Sequence, residues 1–580
     1  MPTLNWIGKD AVANHHREVP YRLLRDVPEL GCGDPGSGNL LVEGDNLHAL
    51  KALLPYYAGQ VKCIYIDPPY NTGNEGWVYN DAVNSPLIQK WLGETVGKEA
   101  EDLSRHDKWL CMMLPRLQLL KQFLREDGVI FISIDDNELE NLIHICGEIL
   151  GRENHLATIV WEKGKKGDSK FFSENHEYIL AYAKNKAGLV ATGTRWKRNK
   201  AGVDRVLEHY QELRKDLGRD HEAIRKSMMV WYRGLAKDNP AKDHKHYNWS
   251  DDRGLYFPDN FHGPDDGREN RPRYDILHPI TDNPCAKPST GWRWAEERTK
   301  AALIEIPPRI HFGPDETTIP CRKTYLLEAS EEPFPTVFYK DGRAATLLVE
   351  NILGKGAFAF PKDVDVLSEI IGMTTGPDDI VLDSFGGSGT TAHAVLKANK
   401  LDNGRRHFVI VQMPFESEQQ RERDENITRD KTAKRIKLAS TGYTPAKGEP
   451  VPGLGGGFRY CRLDAPLFSA VGVINPDVRF GQLARHVYFT ETGEPLPRER
   501  VPTTPLIGVS RGTGVYLLFN GILGDHSANG GNVLTRAILA KLPPHSGPKV
   551  IYAYGCQLGE DRLRAEQITF RQTPYEIATA

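Results

Sequence analysis

An acid, two prolines and an aromatic residue directly follow an apolar run of the chain. The run at 61–66 is typical of a buried strand in a parallel sheet, and Asp67, Pro68, Pro69 and Tyr70 come next. Proline has no N–H to donate, so Pro68 ends the strand. These four residues are therefore expected to project from the carboxyl edge of the sheet, where open α/β folds bind their ligands.

This group of residues suits chemistry on an exocyclic aromatic amine. Such an amine, in adenine or cytosine, is a poor nucleophile because its lone pair is delocalised into the ring. The Asp67 carboxylate and the Pro68 carbonyl can each accept one N–H bond and free the lone pair to attack a methyl donor. Tyr70 offers a face on which a base can stack, and the Pro-Pro unit is stiff enough to hold that geometry. The alternative is a strand that ends in a plain Asp-Pro turn.

A second candidate site is a glycine-rich segment between a predicted strand and a predicted helix. Glycine lets the backbone approach a ligand closely, and the N-terminus of the helix faces that ligand. A glycine loop by itself is weak evidence, because any nucleotide-binding turn can contain one. The candidate ligand-binding residues of this segment are Asp383, Phe385, Gly386, Gly387, Ser388, Gly389, Thr390 and Thr391.

Together, the Asp-Pro-Pro-Tyr and Phe-Gly-Gly-Ser-Gly segments closely resemble the catalytic and S-adenosylmethionine motifs of the DNA amino-methyltransferases. The catalytic motif comes first in the chain, as in the β-class circular arrangement of that family. The segments at 44–47, 71–73 and 133–136 resemble the modification subunits of type III restriction–modification systems. The resemblance covers roughly residues 35–185 and 350–440.

The resemblance implies a site-specific DNA adenine-N6 methyltransferase that uses S-adenosylmethionine. The adenine would be flipped out of the double-stranded DNA, stacked on Tyr70 and methylated by direct transfer. In this family an aspartate at position 67 goes mostly with adenine and a serine mostly with cytosine-N4, so cytosine-N4 is the alternative target. Another alternative is a chain that mainly reads DNA for a separate restriction or defence nuclease. The glycine loop alone would also fit a dinucleotide oxidoreductase, but that activity leaves Asp-Pro-Pro-Tyr unexplained.

The resemblance also assigns cofactor contacts outside the glycine loop. It places Asp45 against the adenine of S-adenosylmethionine, and capping of the helix that follows is a compatible role. Phe360 and Lys362 belong to a Phe-Pro-Lys segment that would pack beside the methionine end of the cofactor. The ribose hydroxyls would be bound at the tip of a later strand by Gln412 or Glu416, and the sequence leaves these two open.

The predicted fold class is α/β, a Rossmann-like methyltransferase fold with a seven-stranded, mostly parallel sheet in a circularly permuted motif order. The strands that carry Asp67 and Asp383 are predicted to be neighbours at the topological switch point, so that the methyl group faces Asp67. The seven strands are expected to end at Gly44, Tyr70, Ile134, Trp161, Tyr182, Asp383 and Gln412.

The chain of 580 residues is too long for one compact core, which predicts several modules. By the same resemblance, the catalytic and cofactor-binding parts of a methyltransferase domain would flank an inserted target-recognition domain. The predicted segments are an N-terminal arm at 1–30, the catalytic part at 31–185, the DNA-binding target-recognition domain at 186–349, the cofactor-binding part at 350–440 and a C-terminal α+β domain for dimerisation or partner docking at 441–580.

Charge and aromatic residues indicate where DNA would bind. Residues 161–245 contain 20 Lys and Arg against 12 Asp and Glu, an excess of 8 positive charges in a chain with a net charge of −3. Basic groups and interleaved aromatics suit phosphate contacts and groove insertion, although a solvated helical face is the alternative. Trp77 and Tyr79 could insert between bases as wedges. Interleaved aromatics in and just after this region include Trp196, Tyr210, Trp231, Tyr232, Tyr247 and Trp249.

Composition and the cysteine pattern bound the remaining expectations. Charged residues make up 26% and hydrophobic residues 39% of the chain, as in ordinary globular proteins. The eight cysteines are scattered without paired spacing, which predicts buried thiols of a reducing compartment and no metal site. No signal peptide or membrane span is evident, so a cytoplasmic protein is expected. The expected partners are double-stranded DNA, a second copy of the chain and a restriction subunit with ATPase and nuclease activity.

Overall fold

The structure is a computed structural model that describes residues 3–72, 101–164, 171–264, 271–469, 471–497, 502–521, 527 and 530–577. The chain divides into two compact units. One consists of Met1–Thr194 together with Pro335–Ala580, and the other is Arg195–Phe334. The predicted wedge residues Trp77 and Tyr79 lie outside the described residues.

A large mixed sheet organises the first unit. Among the described residues it has ten strands, in the spatial order β1-β10-β2-β9-β8-β3-β4-β6-β5-β7. The strands are β1 (Arg22–Asp26), β2 (Leu40–Glu43), β3 (Val61–Ile66), β4 (Leu124–Ile134), β5 (His155–Glu162), β6 (His176–Ala183), β7 (Val337–Tyr339), β8 (Ile380–Asp383), β9 (His407–Gln412) and β10 (Arg459–Pro466).

Most neighbouring strands of this sheet are parallel. The pairs from β10 through β2, β9, β8 and β3 to β4 are all parallel, and so is the pair of β5 and β7. Strand β6 is antiparallel to both β4 and β5, and β1 is antiparallel to β10. Every residue of β3 and β8 is buried, as expected for strands with helices on both faces.

The seven predicted strands are all present and occupy consecutive positions from β2 to β5. The prediction that β3 and β8 are neighbours is confirmed, since Leu382 pairs with Ile64. The count of seven is wrong, because β1, β7 and β10 extend the sheet at its two edges. These three strands are short or partly exposed and lack a continuous apolar run, so their extended form depends on pairing with the sheet.

Two of the extra strands also change the predicted segmentation. Strand β1 lies in the segment predicted to be an N-terminal arm, and β10 lies in the segment predicted to be a separate C-terminal domain. Both pair within the sheet that carries the candidate site, and β10 lies directly beside β2. The sheet therefore draws on the chain before residue 30 and after residue 441 as well as on the predicted methyltransferase segments.

Helices cover this sheet and bury its faces. The helix Asn46–Tyr57 packs against Glu101–Phe123, and Val364–Thr374 packs against Thr390–Asp402. Helix Leu139–Cys146 continues as a π-helical turn to Gly151, whose φ of 94° ends it at the predicted position. Further α-helices among the described residues of the unit are Lys9–Val12, His15–Glu18, Lys186–Ala191, Gly342–Leu353, Glu418–Glu422, Lys434–Thr441, Phe480–Thr492, Arg536–Leu539 and Glu560–Ala565.

The last part of the chain adds a second sheet to the first unit. It has four strands. Counted along the sheet, the first and second strands are antiparallel, and the second and third and the third and fourth are parallel. The helix Phe480–Thr492 precedes these strands and packs against Asn46–Tyr57. No helix among the described residues has the length and apolarity needed to cross a bilayer. The four strands, in order along the sheet, are Leu506–Ser510, Thr513–Leu517, Lys549–Ala553 and Ile568–Gln572.

The second unit has its own core. Two amphipathic helices, Val203–Leu217 and His221–Gly234, bury Val206, Ile224 and Met228. The aromatics Tyr210, Tyr232 and Tyr247, expected from the sequence to contact DNA, are instead buried in this core. The unit also contains a four-stranded antiparallel sheet, a two-stranded sheet and a further helix. The four strands are Ile310–His311, Cys321–Tyr325, Gly254–Asp259 and Trp249–Asp251, the two-stranded sheet pairs Arg198–Asn199 with Glu331–Glu332, and the helix is Glu296–Ile304.

Candidate active site

The Asp-Pro-Pro-Tyr segment leaves the carboxyl end of β3 between the ends of β4 and β8. Two contacts fix it to its surroundings. The Trp109 indole N–H donates to the Pro69 carbonyl oxygen over 2.7 Å, and the Trp109 side chain is fully buried. The Tyr70 hydroxyl donates to Glu177 Oε2 over 3.1 Å. The segment is therefore held at both its backbone and its aromatic end.

Asp67 is bound by a lysine from a distant part of the chain. Lys362 Nζ donates to Asp67 Oδ2 over 2.7 Å, and the Asp67 side chain is 28% exposed. Asp67 Oδ1 is buried and accepts no hydrogen bond from a described residue. A carboxylate has about four acceptor positions, so Asp67 retains the capacity to accept an N–H from a ligand.

Burial and charge set the protonation of the groups beside Asp67. Burial, together with Asp67 and Glu177, raises the pKa of Tyr70 well above its ordinary value, so its hydroxyl stays a donor. Burial lowers the pKa of Lys362, but Asp67 and Glu177 outweigh it and raise that pKa overall. Lys362 therefore stays a cation against Asp67. Burial and the neighbouring Lys362 lower the pKa of Lys163, which contacts Glu177.

The residue after Tyr70 is fixed by a buried acid. Asn71 has a φ of 61° and donates through Nδ2 to Glu138 Oε1. The same glutamate pairs with His106 Nδ1 at 2.6 Å and accepts from Asn141 Nδ2 over 2.8 Å. Burial raises the pKa of Glu138. This network fixes the backbone where the segment turns away from the site.

Asp383 ends the neighbouring strand β8 in a different environment. Its Oδ1 accepts from the Phe385 N–H over 2.9 Å and its Oδ2 accepts from the Thr391 hydroxyl over 2.6 Å. Burial raises the pKa of Asp383 to about 7. Both oxygens are used within the protein, so this carboxyl group joins the start of the glycine loop to the helix after it.

The glycine loop needs its glycines for space and for conformation. A Cβ atom on Gly386 would lie 2.4 Å from Ile410 Cγ2, and Gly387 and Gly389 have φ values of 50° and 84°. The Gly387 N–H donates to Gln412 Oε1 over 2.6 Å. Strand β9 therefore supports the loop through an apolar residue, Ile410, and a polar residue, Gln412.

The hydroxyl side chains of the loop face the protein. Arg435 Nη1 donates to Ser388 Oγ and, over 2.9 Å, to Thr390 Oγ1. The Thr432 hydroxyl donates to the Gly387 carbonyl oxygen over 2.6 Å. Burial lowers the pKa of Arg435 to about 9. Since these side chains are engaged internally, a ligand above the loop would meet mainly its backbone.

Asp45 lies at the end of a third strand, on the same edge of the sheet. It follows β2, and its Oδ1 accepts from the His48 N–H over 3.1 Å, which caps the helix Asn46–Tyr57. The buried Arg116 lies 3.5 Å from Asp45 Oδ2 and also binds Asn46. Asn46 donates in turn to the Ser384 carbonyl oxygen over 3.1 Å. Asp45 therefore caps a helix that is tied to the glycine loop, and 27% of its side chain is exposed.

Residues 61–409 match the protein-family model described as DNA methylase. This match covers more than half of the chain and includes both strand ends described above. The chain belongs to the DNA methylase family.

Curated relatives of this DNA methylase include modification subunits. The chain is 33% identical over 427 residues to the Mod subunit of the type III restriction-modification enzyme EcoP15I of Escherichia coli, over 71% of this chain and 64% of that protein. It is 31% identical over 436 residues to the EcoPI Mod subunit of Escherichia phage P1, over 71% of this chain and 63% of that protein. The chain thus spans slightly less than two thirds of these two relatives.

More distant similarities extend to other methylases. The chain is 27% identical over 398 residues to the type II methyltransferase M.KpnI of Klebsiella pneumoniae, over 67% of this chain and 84% of that protein. A structure of TTHA0409, a putative DNA modification methylase of Thermus thermophilus, aligns with 12% identity and a TM-score of 0.28 over 67% of this chain and 94% of that chain. The family assignment rests on the sequence match.

Several predicted cofactor residues of the DNA methylase have other contacts in the structure. Phe360 is 91% exposed with a φ of 51°, whereas Phe358 is the aromatic residue near Gly387. Lys362 faces Asp67. The Gln412 side chain is buried and bonded at both ends, to the Gly387 N–H and to the Met413 carbonyl oxygen, while Glu416 is exposed.

The sequence analysis did not identify the groups that support the site. Glu177 and Glu138 hold Tyr70 and Asn71, Arg435 holds the loop hydroxyls, and Trp109 holds Pro69. The sequence does carry a signal for Glu177, because it is an acid near the start of a predicted strand that is otherwise apolar and aromatic. Among the described residues, no cluster of three or more His, Cys, Asp or Glu side chains is arranged to hold a metal ion.

Proposed function

We propose that this DNA methylase transfers the methyl group of S-adenosylmethionine to N6 of an adenine in double-stranded DNA. One observation carries the proposal: Asp-Pro-Pro-Tyr and the glycine loop leave the carboxyl ends of the adjacent parallel strands β3 and β8. An amine acceptor and a backbone cradle are thus side by side at one sheet edge, the arrangement that a two-substrate group transfer needs. The catalytic segment precedes the loop in the chain, in the β-class order.

The residues of the loop fit S-adenosylmethionine. Gly387 and Gly389 present backbone without side chains, and the hydroxyls of the loop are turned away to Arg435 and Asp383. Glu416 is the better of the two ribose candidates, because the Gln412 amide already supports the loop and Glu416 is exposed. Asp45 keeps part of its carboxylate exposed for the adenine of the cofactor. When bound, S-adenosylmethionine supplies an electrophilic methyl group on a sulfonium.

The residues of the Asp-Pro-Pro-Tyr segment would act on the adenine amine. Asp67 accepts one N–H bond of the exocyclic amine and the Pro68 carbonyl accepts the other, which localises the lone pair on nitrogen. The freed lone pair would then be able to take the methyl group. The nitrogen then loses one proton, which Asp67 can accept. Tyr70 stacks on the flipped base throughout.

We propose that the DNA methylase acts as the modification subunit of a type III-like restriction–modification system. The support is its similarity to two Mod subunits of such enzymes, each over about 70% of this chain. DNA recognition is assigned to the unit Arg195–Phe334, whose two helices carry exposed basic residues. A homodimer and a separate ATPase and nuclease subunit complete the proposed assembly. The exposed basic residues are Arg205, Lys215, Lys226 and Arg233 on the helices and Arg219 in the turn between them.

The test of the proposed activity is direct. Purified protein is incubated with unmethylated plasmid DNA and methyl-labelled S-adenosylmethionine, and the DNA is digested to nucleosides for mass spectrometry. Label in N6-methyladenine supports the proposal, and label in N4-methylcytosine would keep the mechanism but overturn the target base. Bound S-adenosylmethionine without any labelled nucleoside, on DNA of varied sequence, would contradict the proposed activity.

The proposed homodimer and the proposed DNA-binding surface are tested by separate measurements. Light scattering of the purified protein gives its mass, for which a homodimer of the 65.1 kDa chain is expected and a monomer at all concentrations would contradict the dimer. Loss of exposed basic side chains on and between these helices should weaken binding to DNA of any sequence and lower the salt dependence of that binding. Unchanged DNA affinity of an R219E/K226E variant would contradict the assignment of this surface.

A further inference from the structure

Four charged side chains form a continuous cluster beside Tyr70. Lys163 contacts Glu177 Oε2, which lies 3.7 Å from Lys362 Nζ, and Lys362 Nζ lies 2.7 Å from Asp67 Oδ2. The exposed fractions of these side chains are 29% for Lys163, 7% for Glu177 and Lys362, and 28% for Asp67. Positive and negative groups alternate and their formal charges sum to zero, which is the condition under which largely buried ions are tolerated.

Glu177 is the centre of this cluster. One oxygen atom, Oε2, accepts from the Tyr70 hydroxyl over 3.1 Å and also faces both lysines. Its other oxygen, Oε1, is buried and accepts no hydrogen bond from a described residue. Glu177 lies on β6, so it is carried by the sheet, whereas Tyr70 and Lys362 lie on connecting segments. Because the sheet holds Glu177 in place, Glu177 can in turn fix Tyr70 and Lys362, the two groups that a substrate base would meet.

We infer that Glu177 is a positioning residue for the proposed methyl transfer. Through the Tyr70 hydroxyl it fixes the ring on which the base stacks, and through Lys362 it holds the cation beside Asp67. The inference rests on the proposed function. A small displacement of either group would lower the rate, because the reaction requires the amine and the methyl group in line. Glu177 itself needs no contact with either substrate.

The cation beside Asp67 has a specific consequence. An aspartate can free the amine lone pair only as a carboxylate, because a protonated carboxyl group presents an O–H donor to the N–H. Lys362 is held as a cation by Asp67 and Glu177 together, and it donates a hydrogen bond to Asp67 Oδ2. Loss of the negative charge on Glu177 would leave two lysines and one carboxylate in the cluster, an excess of one positive charge.

The first experiment replaces Glu177 by its neutral isostere. In E177Q, kcat for DNA methylation should fall about 10- to 100-fold, the effect of a misplaced supporting group, while the Kd for S-adenosylmethionine and the KM for DNA change less than about threefold. E177D keeps the charge and should recover part of the lost kcat. Wild-type kcat in E177Q would overturn the inference.

A second variant separates positioning from charge balance. The double variant E177Q/K163M removes one positive charge and makes the cluster neutral again. If Glu177 positions Tyr70 and Lys362, the melting temperature should recover in the double variant while kcat stays low. Recovery of kcat to the wild-type value would overturn the inference, because Glu177 would then act only through the net charge.

The matched control is another glutamate that binds a tyrosine. The Tyr552 hydroxyl donates to Glu491 Oε2 over 2.5 Å in the C-terminal part of the first unit, and Glu491 is partly buried. E491Q should change the melting temperature as E177Q does but leave kcat at the wild-type value. An equal loss of kcat in both variants would show a general effect of destabilisation and would count against the inference.

An activity-independent measurement completes the test. Acetic anhydride labels lysines that are accessible and unpaired, and peptide mass spectrometry gives the rate for each lysine. Labelling of Lys362 should be several-fold faster in E177Q than in the wild type, while the buried Lys51, bound to the His16 carbonyl oxygen, stays unchanged. Unchanged Lys362 labelling would contradict the anchoring role. Faster labelling in a protein that methylates no base would instead reject only the proposed function.

Discussion

Two aspartates end adjacent parallel strands of the same sheet, yet their surroundings differ. Asp67, after β3, is partly exposed, pairs with the cation of Lys362 and keeps one oxygen without a partner among the described residues. Asp383, at the end of β8, is 3% exposed, and both of its oxygens accept hydrogen bonds from the glycine-loop segment. The strand end therefore fixes where each carboxylate lies, and the hydrogen-bond partners decide what it can do.

The difference extends to the two halves of the site. The half around Asp67 contains charged groups whose acceptors are not all used, which suits a surface that must bind a substrate amine. In the half around the glycine loop, the side chains of Asp383 and Gln412 and the loop hydroxyls are engaged internally, which suits a rigid backbone cradle. Substitutions in the first half should affect the chemical step, and substitutions in the second should affect cofactor binding and folding.

The largest effect is expected for D67N, which keeps the shape of Asp67 and removes its charge. Methyl transfer should fall about 10²- to 10⁴-fold, the range for a lost acid or base group, and the Kd for S-adenosylmethionine should stay close to the wild-type value. Single-turnover methylation and calorimetric titration measure the two quantities. Loss of cofactor binding with a normal rate at saturation would reverse the roles assigned to the two strand ends.

The next effect is expected for G386A, because a Cβ atom there would lie 2.4 Å from Ile410 Cγ2. The forced shift of the loop should weaken S-adenosylmethionine binding about tenfold and destabilise the protein by about 1–3 kcal/mol. G372A is the matched control: Gly372 lies within the helix Val364–Thr374, and its Cβ would meet no atom within 4 Å. G372A should leave cofactor binding unchanged, so equal weakening in both variants would contradict the account of the loop.

D383N should change the pH dependence of stability. Burial raises the pKa of Asp383 from its ordinary 3.8 to about 7, so the folded protein keeps a proton that the unfolded chain releases in this interval. The wild type therefore loses stability as the pH rises from about 4 to about 7, and D383N lacks this loss. Between pH 5 and 8, the melting temperature of D383N should increase relative to that of the wild type as the pH rises. Parallel curves would contradict a raised pKa.

The smallest effect on kcat is expected for W109F, which removes the indole N–H that binds the Pro69 carbonyl oxygen and leaves a cavity where the rest of the buried indole packed. A lost neutral hydrogen bond costs about 1 kcal/mol, which corresponds to about a fivefold decrease in kcat if the bond acts in the transition state. The Kd for S-adenosylmethionine should not change. A loss as large as that of D67N would mean that the position of the segment depends far more on Trp109 than a single hydrogen bond explains.

The sequence predicts the centre of the fold better than its edges. The seven central strands are recognisable because most consist of continuous apolar runs, and the adjacency of β3 and β8 follows from the motif order and topology. Strands β1, β7 and β10 could not be predicted, because their residues are partly exposed and become strands only by pairing at the edges. Aromatic residues such as Tyr210 and Tyr232 were assigned to DNA from their basic neighbours, although helical periodicity already indicated a core.

The candidate site was predictable where it follows a contiguous motif and not where it depends on pairing in space. Asp67, Tyr70 and the glycines are recognised from their order in the chain. Glu177 and Lys362 meet across 185 residues, and no local pattern predicts that contact. Asp383 and Gln412 were expected to face the cofactor, but their side chains are used to hold the loop, since an acceptor buried at a strand end takes the nearest donors.

The most direct test compares D67N with D383N on the same DNA and with the same labelled S-adenosylmethionine. Calorimetry gives the Kd for the cofactor, and mass spectrometry of the digested DNA gives the amount of N6-methyladenine. We expect D67N to bind the cofactor normally and to form no more than about 1% of the wild-type product, and D383N to bind the cofactor more weakly but still to methylate adenine when saturated. N6-methyladenine formed by D67N at the wild-type rate would contradict the central claim.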